Sequence, residues 1–396
     1  MPALGLRRSL VAGVVAIGLV PSCLVFWILW LAPIDGLAAD RAALAARDFS
    51  DLWAAGRLAT EPAFDILYHP ARLTAFLRAS FGSGMPAQIW PYPPPTLLLA
   101  AIVARVPILP GFVLYTSAGL AMLGWAVSRR FRSLTMCAAI LLSPAVADNA
   151  LAGQNGVLTA AAMLAGLVRI DARPRLAGIL LGLLVLKPQL ALILPVCLIA
   201  GRRWQVLLVA GLTAAAIAGA SAAIFGLEAW TGFVLNARPE IATYFQAPWT
   251  GSESQRMFVS VFMAMRALGA DLPMAYAAQA LTALLAASLV WAAWRRPAEH
   301  DNYRLALTMI AALVASPWTH DYDMPTLAVA IVLLLPAARP WHLLPLALAW
   351  IWPGALSIFS VPAALPCLSL LSLLMVASQV SLAIGHQGGK NRLQCV

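Results

Sequence analysis

The sequence predicts an all-α, polytopic integral membrane protein, and three observations carry that prediction. Of its 396 residues, 62% are hydrophobic and only 11% are charged, whereas a soluble domain carries roughly 25% charged residues. Apolar runs long enough to cross a ~30 Å hydrocarbon core recur along the whole chain. The remaining charges are also sorted by side. With the N-terminus placed inside, sixteen of the 26 Lys and Arg residues fall in cytoplasmic segments, together with only three of the 16 acids. This positive-inside bias accounts for the net charge of +10 without a nucleic-acid partner.

The first run, Ser9 to Ala32, follows Arg7 and Arg8. It exceeds the roughly 7–15 apolar residues of a signal-peptide core, so it reads as an uncleaved first helix. Further crossings are expected near 110–128, 134–148, 150–168, 204–224, 274–294, 304–317, 324–337, 340–357 and 360–384. Including short and broken segments, a single domain spanning 1–396 is expected to carry about 10–13 membrane helices. Residues 93–108 are apolar but begin Pro93-Pro94-Pro95. A full crossing there would put Arg129, Arg130 and Arg132 outside, so a shallow or re-entrant segment is expected. Leu176 to Ala200 has Arg173 and Arg175 before it, Arg202 and Arg203 after it, and Lys187-Pro188 in its middle. Each arm of about 12 residues reaches only ~18 Å, and proline cannot continue the first arm's helix. The expectation is a broken hairpin with Lys187 near its apex.

Two larger hydrophilic segments fall outside. The first outer loop, 33–92, is rich in Asp and contains Ala39 to Ala59, which reads as a surface helix; the second is 225–256. A short third loop carries His320-Asp321-Tyr322-Asp323. The five cysteines are scattered, with no metal or redox spacing. No Walker-type loop, internal repeat or nucleotide-binding domain is present, and nothing indicates a cofactor or a metal.

The chemistry-bearing residues gather on the outer side. Asp48 and Asp51 are three apart, so on a helix they share a face; they are either a general base with a neighbour or a solvated acidic surface. Trp90-Pro91-Tyr92-Pro93 is a stiff segment that either anchors an interface or shapes a rim. Gln154 and Asn155 in Gly153-Gln154-Asn155-Gly156 either bond sugar hydroxyls or cap a turn. Lys187 is an ionisable group at membrane depth, where such groups face a cavity or a partner. It contacts a lipid phosphate or forms an ion pair with an acid on a neighbouring helix. His320, Asp321 and Asp323 superficially suggest a metal cluster, but ligands within four residues rarely converge.

In order and spacing these pieces resemble glycosyltransferase family 87, the polyprenol-phosphate-mannose-dependent α-mannosyltransferases of the GT-C superfamily. The resemblance rests on Asp48-Phe49 with Trp53-Ala54-Ala55-Gly56-Arg57, Tyr92-Pro93-Pro94, Gly153-Gln154-Asn155 and Lys187-Pro188-Gln189. It continues through Ser260-Val261-Phe262, Arg266-Ala267-Leu268-Gly269 and Ser316-Pro317 to Asp321-Tyr322-Asp323. It implies a GT-C-like helical membrane enzyme of the cytoplasmic membrane, with its active site on the outer face. Such an enzyme moves a hexose, mannose first, from a polyprenyl-phosphate donor to an envelope lipid or glycan acceptor with inversion. Asp48 is implied as the general base, with Asp51 as second choice. Lys187, Arg57, Arg238 and Arg256 are candidate partners of the donor phosphate, and Tyr92, Gln154, Asn155, Asp321 and Asp323 are candidates for sugar and acceptor. A lipid-sugar flippase is the alternative, because broken helices also build transporter sites.

Overall fold

A computed structural model describes residues 48–296, 301–356 and 364–393. The expected first helix at 9–32, and the part of the expected surface helix before Asp48, lie outside these residues. Among the described residues the regular structure is helical, with one isolated bridge between Phe258 and His320. In chain order the principal helices are α1 (Asp48–Thr60), α2 (Pro70–Phe81), α3 (Pro95–Val103), α4 (Ile108–Arg130), α5 (Leu134–Leu141), α6 (Pro144–Ala152) and α7 (Gly156–Leu167). There follow α8 (Pro174–Gly182), α9 (Leu194–Ala200), α10 (Trp204–Gly232), α11 (Arg238–Gln246), α12 (Val261–Ala267) and α13 (Leu272–Trp294). The last four are α14 (Asp301–Ala315), α15 (Pro325–Leu334), α16 (Pro340–Leu356) and α17 (Ala364–Leu393). Proline opens α2, α3, α6, α8 and α15, where its missing N–H is one the first turn leaves unbonded anyway.

Three described helices, α4, α13 and the run from α10 through α11, are each long and apolar enough to cross a membrane. The run from Trp204 to Gln246 has only 6% of its most apolar stretch buried, and Leu208, Leu212 and Leu227 stand exposed along it. A helix apolar all round with almost no protein cover needs lipid as its solvent. The chain is a polytopic helical membrane protein.

Where the structure departs from the expected spans, proline and burial supply the reasons. The span expected at 134–148 is broken into α5 and α6, bent by 45° at Ser143-Pro144. Residues 93–108 form the nine-residue α3, ~14 Å long and too short to cross. Helices α14 and α15 are also short, but α15 is buried along its whole length and α14 from Leu305 to Ala315. Their ends are therefore surrounded by protein, the condition under which a short helix is tolerated at membrane depth.

The segment around Lys187 is a broken hairpin. Helix α8 gives way to a 3-10 turn at Leu183–Leu186, Lys187 breaks the helix with φ −142° and ψ 70°, and a second 3-10 turn at Pro188–Ala191 leads towards α9. Asp171, before the first arm, forms an ion pair with Arg203, after the second. Both arms therefore begin and end on one side, with Lys187 between them at the far end.

Candidate active site

Helix α1 carries the two carboxylates, and its packing fixes where they point. Phe49 is fully buried and meets Phe112 of α4 edge-on at 5.3 Å. Trp53 Nε1 donates to the Val106 carbonyl at 3.0 Å. With those side chains committed to the core, the spacing of three places Asp48 and Asp51 on one face, and both line a cavity of about 390 Å³. That volume falls within the roughly 300–1,000 Å³ of small-molecule sites.

The turn between α6 and α7 supplies the next layer. Gly153 closes α6 in the left-handed region at φ 69°, and a Cβ there would lie 2.5 Å from that of Phe49, so the position demands glycine. The tight turn delivers Gln154 to Asp48: Gln154 Nε2 donates to Asp48 Oδ2 at 2.7 Å, while its Oε1 accepts from the Tyr92 hydroxyl at 3.0 Å. Next to it, Asn155 Oδ1 accepts from Lys187 Nζ at 3.1 Å. Lys187 also forms an ion pair with Asp323 and lies 4.4 Å from the centre of the Tyr322 ring. Lys187 is 1% exposed and Asp323 not at all, so the charge at the hairpin apex is neutralised inside the protein. Thr96 at the start of α3 donates to the Leu186 carbonyl at 3.0 Å, which ties the proline-rich segment to that apex.

The opposite wall is aromatic and comes from the loop before α15. Asn149 Nδ2 donates to the Tyr322 carbonyl at 2.7 Å, and this carbonyl packs so closely on Gly156 that a Cβ there would lie 1.9 Å from its oxygen. The His320 ring stacks on Tyr322 at 4.7 Å and meets Phe258 at 4.0 Å. Two backbone bonds, Val259 N to Thr319 O and Asp321 N to Met257 O, both 2.9 Å, clamp this loop to the strand-like piece before α12.

The environments of the two carboxylates differ in kind. Burial raises the pKa of Asp48 above the ordinary carboxylate value of 3.8, but the Gln154 hydrogen bond and the charge of Lys187 oppose it. For Asp51, burial and then the neighbouring Asp48 both push the pKa well above 3.8. Of the two, Asp48 is the one whose surroundings include groups that favour its charged form. Burial and then the charge of Lys187 lower His320 to about 3, so its imidazole is neutral at physiological pH. Burial, then Asp148, raises Asp321 well above the ordinary carboxylate value.

A profile of glycosyltransferase family 87 matches residues 90–317, more than half of the chain and the stretch that holds Tyr92, Gln154, Asn155 and Lys187. The chain belongs to glycosyltransferase family 87. It is therefore a membrane glycosyltransferase, as its helices and the resemblance in its sequence implied. No curated protein and no solved structure matches it. In this family 87 enzyme Asp48 lies N-terminal to the matched stretch, and Asp321 and Asp323 lie just beyond it.

The structure gathers some of the residues read from the sequence and separates others. Asp48, Asp51, Tyr92, Gln154 and Asn155 line one cavity. Lys187 lies behind its wall, and of the two readings open for it, the ion pair with a neighbouring acid is the one observed. Asp323 is that acid, and Asp321 Oδ1 accepts from the Tyr322 N–H at 2.8 Å; neither carboxylate lines the cavity. Arg57 is paired with Glu61 on the exposed side of α1, and Arg238 is exposed on α11. Arg256 falls between Ser254 and Met257, which line the cavity, without lining it itself. Among the described residues no cluster of three or more His, Cys, Asp or Glu is arranged to hold a metal ion. Sequence reasoning missed Tyr322 and Phe258 as wall residues and Asn149 as the clamp. Nothing local distinguishes them, since each acts through a partner far away in the chain.

Proposed function

We propose that this family 87 glycosyltransferase moves a hexose, with mannose the first candidate, from a polyprenyl-phosphate donor to an envelope lipid or glycan acceptor with inversion. The observation that carries the reading is Asp48, hydrogen-bonded by Gln154 and facing a cavity beside Asp51, the acid whose surroundings favour the neutral form more strongly. An acceptor hydroxyl oxygen attacks the anomeric carbon and its proton passes to Asp48. The bond from the anomeric carbon to the phosphate oxygen breaks, and the electron pair leaves with the phosphate. The leaving group departs as an anion and needs no proton, so one base suffices where glycosidases need a carboxylate pair.

Gln154 orients Asp48, and Tyr92 holds Gln154. Lys187, bound to Asp323, fixes Asn155 in the wall and lends Asp48 a nearby positive charge without touching the phosphate itself. Among the cations read as phosphate partners, Arg256 is the best placed, between two residues of the wall. Neutral His320 and the rings of Tyr322 and Trp318 offer an apolar face for a sugar ring. The arginine-rich helix ends lie away from this cavity, which together with the positive-inside bias supports a site on the outer face of the cytoplasmic membrane.

The test uses the purified full-length protein in detergent, with radiolabelled polyprenyl-phosphate mannose and an envelope-lipid acceptor pool. A positioned general base contributes about 10²–10⁴-fold, so Asp48→Asn should lose transfer by that factor, while Asp51→Asn retains most of it. Equal transfer by wild type and Asp48→Asn overturns the assignment.

A further inference from the structure

Asp51 has no task in the transfer step itself, although it lies one helical turn from the base. The Cβ atoms of such a pair on a helix are about 5–6 Å apart, and both carboxyls line the catalytic cavity. Their partners differ. Asp48 Oδ2 accepts a hydrogen bond from Gln154 Nε2. Asp51 is only 8% exposed, and its Oδ1 is closed to solvent with no hydrogen-bond partner among the described residues.

An ionised carboxylate shares its charge between both oxygens, so burying one of them unbonded is costly. The cations that would offset that cost are elsewhere. The described residues of the cavity wall include no lysine or arginine. Arg57, on the same helix, is paired with Glu61 on the exposed side. The charge of Lys187 assists Asp48, whereas the charge that acts on Asp51 is that of Asp48, of the same sign. A proton on Asp51 removes both penalties. It cancels the buried charge and turns an acceptor-only group into one that carries an O–H donor. A second negative charge here would also repel a sugar carried on a phosphate, and a neutral acid holds it without that repulsion.

We propose that Asp51 acts as a neutral carboxylic acid, donating its O–H to an oxygen of the sugar substrate one helical turn from the base. The proposal rests on the reading of Asp48 as that base, and it makes Asp51 a substrate-binding residue instead of a second base. A sugar hydroxyl is the matching group, because a protonated carboxyl offers both a donor and an acceptor, as a hydroxyl does.

Two substitutions separate the roles. Asp51→Asn keeps the shape and supplies an amide N–H in place of the O–H, whereas Asp51→Ala removes the donor. With radiolabelled polyprenyl-phosphate mannose and the envelope-lipid acceptor pool, Asp51→Asn should retain most of the transfer. Asp51→Ala should lose about three- to tenfold in kcat/KM, the range of one neutral hydrogen bond. Asp51→Leu, closer in volume, takes its place should the smaller side chain prevent folding. Infrared spectroscopy of the full-length protein in detergent reads the proton without turnover. At neutral pH the wild-type spectrum minus that of Asp51→Asn should contain the C=O band of a protonated carboxyl. A carboxylate band in its place overturns the proposal. So does equal transfer by wild type and Asp51→Ala, or a loss in Asp51→Asn as deep as in Asp51→Ala. A wild-type protein that transfers no mannose refutes the donor and sugar assigned above, and the infrared band alone then upholds or overturns the neutral acid.

Discussion

Replacing Gln154 by leucine tests the reasoning about the catalytic cavity most directly. Gln154 joins the Asp48 carboxylate, at 2.7 Å, to the Tyr92 hydroxyl, at 3.0 Å, and leucine removes both bonds with little change in volume. A hydrogen bond to a charged group contributes ~1.5–3 kcal/mol. If that bond serves to orient the base in the transition state, transfer should fall roughly ten- to hundredfold. The sign of a second effect is also fixed. The Gln154 hydrogen bond lowers the pKa of Asp48 against the desolvation that raises it. Its loss leaves desolvation less opposed, so the acid limb of the rate should move to higher pH. The assay is the initial rate of labelled transfer across a pH series, with kcat and KM separated. A raised KM with unchanged kcat and an unmoved acid limb would make Gln154 a substrate contact and refute the orienting role.

Other outcomes follow from the same geometry. Lys187→Met leaves Asp323 charged and uncompensated in a fully buried place, which costs about 3–5 kcal/mol. The double variant with Asp323→Leu should recover most of that loss in thermal unfolding, and simple additivity of the two single effects would contradict the pairing. Gly156→Ala drives a Cβ against the Tyr322 carbonyl; overpacking of this kind costs about 1–3 kcal/mol. It should reduce transfer by displacing the aromatic wall, and an unchanged melting temperature with full activity would contradict the contact. His320 has a folded pKa of about 3 against an ordinary 6.5, so the unfolded chain takes up its proton first as pH falls. The stability conferred by a neutral His320 is complete above 6.5 and is lost between 6.5 and about 3. The difference between wild-type and His320→Gln stabilities should therefore vary across that window and be flat above it.

The membrane character, the positions of the breaks and the pair of carboxylates were legible in the sequence because each is a local property. Proline at 188 ends a helix wherever the chain sits, and two aspartates three apart share a helical face in any fold. Gly153-Gln154-Asn155 read as a turn for the same reason. The number of crossings was less legible. Apolar composition alone cannot separate a helix bathed in lipid, such as the run from Trp204, from one buried in protein, such as α15, because both solvents select the same side chains.

The sequence by itself determined an all-helical membrane chain with a charged lysine at a broken apex and candidate acids on one side. Only the tertiary structure decided which acid has partners that favour its charged form, since that depends on Gln154, 106 residues away from Asp48, and on Lys187 across the hairpin. It also decided that Lys187 belongs to Asp323, 136 residues further along, and that His320 and Tyr322 form the wall while Asp321 and Asp323 turn from it. Desolvation and Coulomb interaction act through space, and no spacing along the chain records which distant side chains the fold will bring within 3 Å of each other.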